Sequence, residues 1–319
     1  MSGARAQRRL ASLVLLARPR AAVLVCVLPV FGFGYALWER GSTVSPLVVG
    51  PTILALMGVW LLGHAGAMWL NAELDRDEGA VIFSRAVEVP GGTAALGYVS
   101  LSLSVLAAAP LGALVLGCAS VCALLAVLYS HPRIAWKGHA QLGPLVNGVG
   151  YAALSPIAGW SAADGVFTWR APLMLASLVV GVLGLYFAAQ AFQEVEDRAR
   201  GYRTLVVTHG PRRTLQIARL CFLAAMLPLF AGSAIGVYPR VVLVALVPCG
   251  FVDAWMTRWI REPSAARFAP GMVVRLVVAV LCVVAALYAH HFTQLALGEP
   301  GGGLGTAIVP AALDAPFVT

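Results

Sequence analysis

Two short acidic windows carry most of the chemistry that the sequence offers. The first reads Asn71-Ala72-Glu73-Leu74-Asp75-Arg76-Asp77-Glu78-Gly79, with Glu88 further along, and the second reads Gln193-Glu194-Val195-Glu196-Asp197-Arg198. Together they hold eight of the 14 acidic residues in the chain. Residues four apart share a helix face, so Asn71 projects with Asp75 and Gln193 with Asp197; Glu194, three before Asp197, lies on nearly the same face. Hard oxygen ligands at this density suit Mg²⁺, which keeps several waters and shares its coordination with substrate phosphates. A third window, Tyr129-Ser130-His131-Pro132-Arg133-Ile134-Ala135-Trp136-Lys137, adds cations able to neutralise phosphate charge. Combined, the windows read as a magnesium diphosphate pocket. The plain alternative is that the acids only offset neighbouring arginines in polar loops.

The elements that must position these groups follow from composition. Of 319 residues, 60% are hydrophobic and 11% charged, and mean hydropathy is +0.85. A soluble domain carries about 25% charged residues. A cytosolic enzyme and a disordered chain are therefore excluded, and the net charge of +8 does not point to a nucleic-acid partner. What remains is an all-α polytopic bundle in the lipid bilayer. Runs of about 20 apolar residues predict nine spans, at 21–38, 47–70, 93–109, 111–129, 145–160, 171–191, 214–235, 241–259 and 272–290. The third and fourth form one uncharged run divided by Pro110-Leu111-Gly112, a helical-hairpin turn.

Alternating the loops from a cytoplasmic N-terminus puts 19 of the 22 basic residues on the cytoplasmic side and leaves Arg40, Arg170 and Arg240 outside. All three windows fall on that cytoplasmic side. The expected organisation is a cytoplasmic segment 1–20, a transmembrane domain 21–290 and a poorly ordered non-cytoplasmic tail 291–319, in an inner or plasma membrane. The basic N-terminus lacks a convincing cleavage site, so the first apolar run reads as a retained helix. The six cysteines lie within apolar runs and read as buried thiols.

The windows resemble those of the UbiA family of intramembrane prenyltransferases. That family carries Asn-Asp-x-x-Asp-x-x-x-Asp after its second helix and Asp-x-x-x-Asp after its sixth, the latter running into a Gly…Thr-Leu segment. Here the matching stretches are Asn71…Asp75…Gly79 and Gln193…Asp197…Gly201-Tyr202-Arg203-Thr204-Leu205, with Gly210 closing the loop. The loop after span four is similar as well, and the resemblance runs from Arg18-Pro19 to about Gly210. It implies that Asn71, Asp75 and Asp197 hold Mg²⁺ against a prenyl diphosphate, and that Arg133, Lys137 and either Arg76 or Arg203 contact the diphosphate. Three positions depart from the pattern: Ala72, Gly79 and Gln193 stand where the family has Asn-Asp or Asp. Glu78, Asp77, Glu194 and Glu196 stand beside those gaps as substitutes.

The resemblance implies a donor ionised at its allylic C–O bond and a lipophilic acceptor, aromatic or quinone-like, that captures the prenyl cation. His64, seven residues before Asn71, stands where family members that use 4-hydroxybenzoate often have Arg. It reads either as a hydrogen-bond partner or base for a phenol, or as a packing residue. Asn147, Tyr151, Tyr186 and Gln190 read first as packing groups, Asp253 as a partner of Arg258, and His290 and His291 as solvated. A terpene cyclase on the same scaffold would use the same diphosphate site without an acceptor. A transporter or non-catalytic lipid-binding protein is the reading from another class, but the polar groups gather at one face instead of forming a path across.

Overall fold

A computed structural model of the chain describes residues 2–40, 45–75, 87–263 and 268–297. Among these the fold is a helical bundle: α1 (Ser2–Leu16), α2 (Pro19–Arg40), α3 (Pro46–Asp75), α4 (Thr93–Ala108), α5 (Ala113–Ser130), α6 (Leu142–Asn147), α7 (Ser155–Ala162), α8 (Arg170–Gln190), α9 (Glu194–Ala199), α10 (Leu205–Ala234), α11 (Leu246–Arg261) and α12 (Phe268–Leu297). Eight helices among the described residues are long and apolar enough to cross a membrane. The ninth expected span is the continuous helical stretch 142–162, whose middle, Gly148–Leu154, is π-helical. Pro156 removes a backbone donor there, and the Ser155 hydroxyl donates to the Gly150 carbonyl at 3.1 Å, so the ladder loosens where its groups find other partners.

One expected turn is found, and the structure differs from expectation at three places. Gly112, with φ 113, ends the short 3₁₀ turn Ala109–Leu111 and confirms a hairpin between α4 and α5. The seventh span begins at Pro211, three residues before the expected 214, and a separate helical turn from Leu205 precedes it, the backbone breaking between the two at Gly210 (φ 77). The last helix continues to Leu297 instead of stopping at 290, and His291 is buried beside Phe292 rather than solvated. The second acidic window does not extend the sixth span. Helix α8 stops at Gln190, and a separate short helix, α9, carries Asp197.

In lipid, helices gain little from hydrophobic exclusion, and association relies on close packing and interhelical hydrogen bonds. Here α2 and α7 meet backbone to backbone: a Cβ on Gly159 would lie 1.8 Å from the Pro29 carbonyl oxygen. Between α3 and α4, Gly66 faces Gly97, and Ser100 and Ser104 donate to the carbonyls of Leu62 (2.7 Å) and Val59 (2.8 Å). A cluster around Phe33, Tyr35, Trp60 and Trp160 fills one end of the bundle. A second, around Leu215, Met256, Trp259 and Met272, packs α8, α10, α11 and α12.

These contacts predict that Gly159→Ala, which overpacks the α2–α7 contact, lowers stability by roughly 1–3 kcal/mol or more. Gly58→Ala, at a helical glycine with open space around it, should be neutral or slightly stabilising. Thermal melts of the two purified variants in detergent check the contrast.

Candidate active site

The two ends of the bundle differ chemically. At one end Arg40 donates to the carbonyls of Ala163 (2.7 Å) and Asp164 (3.1 Å), and Thr168 pairs with Glu39. At the other, the C-terminal ends of α3 and α5 meet the loops after α5 and α9. Those two loops are joined by an isolated bridge between His139 and Arg203, in which the Arg203 amide donates to the Gly138 carbonyl at 3.0 Å. The Tyr202 ring packs against Gly138, where a Cβ would lie 2.6 Å from it. The joined loops turn Lys137 and Asp197 inward over the bundle.

Beneath them lies a cavity of about 1070 Å³, lined mainly by apolar side chains. At its polar end the Lys137 ammonium donates to Asn71 Oδ1 at 3.1 Å and forms an ion pair with the Asp75 carboxylate. Lys137 and Asp75 are 8% and 7% exposed, so this pair is almost wholly withdrawn from water. Burial pushes the Lys137 ammonium down to about 7, aided by the guanidinium groups of Arg200 and Arg18 and opposed by Asp197. The Ser130 hydroxyl, at the end of α5, adds a 3.3 Å hydrogen bond to Asn71 Oδ1. On the facing side, Asp197 accepts a 2.7 Å hydrogen bond from Thr204. Burial raises its carboxyl above the usual range, while the Thr204 hydroxyl, Arg200 and Lys137 pull it back and Glu196 raises it further.

The expected site residues separate into groups. Asn71, Asp75 and Lys137 touch, and His64, Gln193 and Asp197 line the same cavity. Arg133 and Arg203 are exposed and do not line it. Glu194 does not line it either, being paired with Arg198 at 2.9 Å. Arg76, Asp77 and Glu78 lie outside the described residues. One acid of the first window serves the fold instead, because the Glu73 carboxylate accepts from the amides of Gly92 and Ala94 and caps the start of α4.

Several lining groups were not singled out from sequence. Arg18, at the α1–α2 turn with φ 50, reaches the cavity, as do Ser130, Arg200, Tyr202 and Thr204. Thr204 belongs to the Thr-Leu segment after the second window, and Arg200 stands three residues from Asp197, so spacing alone could have flagged both. Asp253 pairs with Arg219, at 2.6 and 3.0 Å, and not with Arg258. That pair joins α10 to α11 across a distance in sequence that helical periodicity cannot reveal.

Among the described residues no group of three or more His, Cys, Asp or Glu is placed to hold a metal ion by itself. The oxygens of Asn71 and Asp75 nevertheless enclose a cation, with the Lys137 ammonium in that place.

A helical bundle of membrane-crossing length around an apolar chamber, with Lys137, Asp75 and Asp197 gathered at one mouth, defines an integral membrane protein. The UbiA prenyltransferase family model matches residues 26–277, and the chain belongs to that family. The class of enzyme is a prenyltransferase. A protoheme IX farnesyltransferase of Cereibacter sphaeroides is 29% identical over 244 residues, covering 71% of this chain and 76% of that protein. One from Dinoroseobacter shibae is 26% identical over 204 residues, covering 61% and 64%. Among solved structures, a UbiA homologue from Archaeoglobus fulgidus bound to GPP and Mg²⁺ superposes with a TM-score of 0.62 at 15% identity, over 87% of this chain and 99% of that one. The apo UbiA homologue from Aeropyrum pernix gives 0.60 at 17% identity, over 83% and 97%. At these identities the structural likeness concerns the fold.

Removing one partner of a buried ion pair leaves the other charge stranded, at a cost of roughly 3–5 kcal/mol. Lys137→Met is therefore expected to lower the melting temperature of the purified protein far more than Arg133→Met, whose side chain is exposed. Parallel thermal melts measure the difference.

Proposed function

We propose that the protein transfers a prenyl group from an isoprenoid diphosphate to a lipophilic aromatic or quinone-like acceptor, with Mg²⁺ as cofactor. The observation that carries this reading is the Lys137–Asn71–Asp75 contact at the mouth of an apolar chamber, with Asp197 on the facing loop. Names of relatives supply the acceptor class: the curated relatives are protoheme IX farnesyltransferases, so a porphyrin belongs among the aromatic acceptors to be tried.

The donor set fits a hard cation, since Asn71, Asp75 and Asp197 offer oxygen, and one ammonium already rests against two of these groups. These three residues would hold Mg²⁺, with Gln193 lining the same cavity and Glu78, outside the described residues, a further candidate; Glu194, tied to Arg198, is placed for this only if that pair opens. When bound, Mg²⁺ supplies positive charge to the leaving diphosphate oxygens.

The chain's own groups do the rest. Lys137 and Arg200, with Arg18 below them, draw the diphosphate to the mouth and stabilise the charge that develops as the allylic C–O bond breaks. Arg133 and Arg203, exposed outside the cavity, form an outer set of cations able to guide the anion inward, and Arg76, outside the described residues, is a further candidate from the first window. Apolar walls along the chamber hold the prenyl chain and keep water from the carbocation that forms. A carbon of the acceptor then donates its electron pair to the allylic carbon, and the proton from that carbon leaves to a neighbouring base. His64, Tyr151 and Asn147 are among the polar groups that line the wall, with Tyr129, Tyr186 and the Arg219–Asp253 pair, and an acceptor ring would lie against some of them.

The Lys and Arg excess supports a mouth, and with it an N-terminus, on the cytoplasmic side of the membrane. Water-soluble diphosphate would then enter from the cytosol while the acceptor comes from the bilayer.

Purified protein given farnesyl diphosphate, an acceptor and Mg²⁺ is expected to release pyrophosphate and form a prenylated product seen by mass spectrometry. A chelator should abolish release. Asp75→Ala and Asp197→Ala should each slow it by at least about 10²-fold, the scale on which losing one group that stabilises developing charge is felt. Undiminished turnover in both variants would overturn the assignment, and pyrophosphate release with a cyclic hydrocarbon and no acceptor would make the protein a cyclase.

A further inference from the structure

His64 is 4% exposed, lines the cavity wall, and has no hydrogen-bond partner on either ring nitrogen. The backbone of Ala17 and Arg18 lies near the ring but outside hydrogen-bond geometry, and the Tyr151 ring stands 6.4 Å away, centroid to centroid. Burying an imidazole with both nitrogens unmatched is unfavourable, and such a group is normally explained by what it binds. Helix α3 places it two turns, about 10.5 Å, below Asn71 on nearly the same face. It therefore faces the same chamber as the diphosphate-binding end, at the depth where an acceptor must lie beside the prenyl chain.

The chemistry of the surroundings narrows the ligand. A phosphate would need several cations, and Lys137 and Arg200 stand at the mouth with Asn71 and Asp197. That leaves Arg18, whose backbone lies beside the ring, for no more than a single carboxylate such as a ring substituent. A bare metal ion would need several ligands, and among the described residues none gather with His64. A metal already held by four in-plane nitrogens needs only an axial donor, for which a neutral imidazole nitrogen is the common choice. The space also fits. About 1070 Å³ is at the top of the range for single small-molecule sites, and the small residues Ala67, Ala123 and Ala126 are among those that line it.

We propose that His64 is the axial ligand of a metalloporphyrin acceptor, and that this bond fixes the macrocycle edge beneath the diphosphate site. The proposal rests on the prenyl-transfer reading and names its acceptor class. His64 thus binds substrate, and no bond in the porphyrin is made or broken at the metal.

The test uses the full chain in detergent, titrated with ferric hemin and, separately, with metal-free protoporphyrin IX, followed by absorption and electron paramagnetic resonance. The wild type is expected to bind hemin with an imidazole-ligated spectrum, and at least about tenfold more tightly than the metal-free ring. His64→Ala and the bulkier His64→Gln should lose both the spectrum and the preference, and added imidazole should restore the ligated spectrum in His64→Ala. Geranyl diphosphate binding, measured on the same samples, shows that the variants are folded. Identical hemin spectra in wild type and both variants would overturn the ligation. Hemin failing to bind the wild type, while Mg²⁺-dependent prenyl transfer to a metal-free aromatic acceptor proceeds, would overturn the acceptor class and leave the transferase reading intact. Absence of diphosphate binding and of pyrophosphate release from the wild type would instead remove the reading on which the proposal stands.

Discussion

A charge carried to the edge of a hydrocarbon slab has to be neutralised within a few ångströms, and the Lys137–Asp75 pair meets that demand in this bundle. Both side chains are less than a tenth exposed. Isolated, either would face a desolvation penalty of several kcal/mol, so the loop that brings Lys137 inward and the helix that ends in Asp75 must be held in register. The bridge between His139 and Arg203, the Tyr202 ring over Gly138 and the Ser130 hydroxyl on Asn71 supply that register. Each is a modest contact, and together they close two loops over one chamber.

Helix α3 connects that polar mouth to the rest of the bundle. Its last turn carries Asn71 and Asp75, two turns below stands His64, and further down Trp60 donates to Ser155 in the helix that contains the π-segment. On its other side the same helix accepts hydrogen bonds from Ser100 and Ser104 and lies against α4 at Gly66 and Gly97. The face that binds and the face that packs are therefore on one rigid rod. That arrangement keeps binding groups at fixed depths with no loop needed to set their spacing.

Much of this was legible in the sequence because a membrane simplifies the problem. Apolar length marks the spans, and only the 142–162 helix needed structure to explain how glycines and Pro156 fit within it. Asn71, Asp75 and Lys137 could be grouped because their windows follow even-numbered spans and so fall at the same end of the expected bundle. What sequence could not separate was direction. Arg133 and Lys137 share a loop, yet one faces solvent and the other is buried, since the turn at Ala135 (φ 43) rotates the chain between them. Glu73 and Asp75 are two residues apart, and one caps α4 while the other faces the cavity. Pairings between distant helices, such as Arg219 with Asp253, leave no periodic trace at all.

The departures at Ala72, Gly79 and Gln193 acquire a physical meaning from these placements. Ala72 is 2% exposed and does not line the cavity, so a charged side chain there would be buried away from the mouth and would need a partner of its own. Glu73 and Glu194 are committed to a helix cap and to Arg198, which removes them as free substitutes. The described mouth is thus lean in carboxylates, with Asp75 and Asp197 set against Arg18, Lys137 and Arg200. A pocket with that balance attracts a polyanion before it attracts a divalent cation, because the ammonium of Lys137 already satisfies Asn71 and Asp75. In the proposed reading a diphosphate would offer Lys137 a second, more highly charged partner, and Asn71 and Asp75 would then be free to hold Mg²⁺. That coupling of anion to cation would follow from which charges the mouth has and which it lacks.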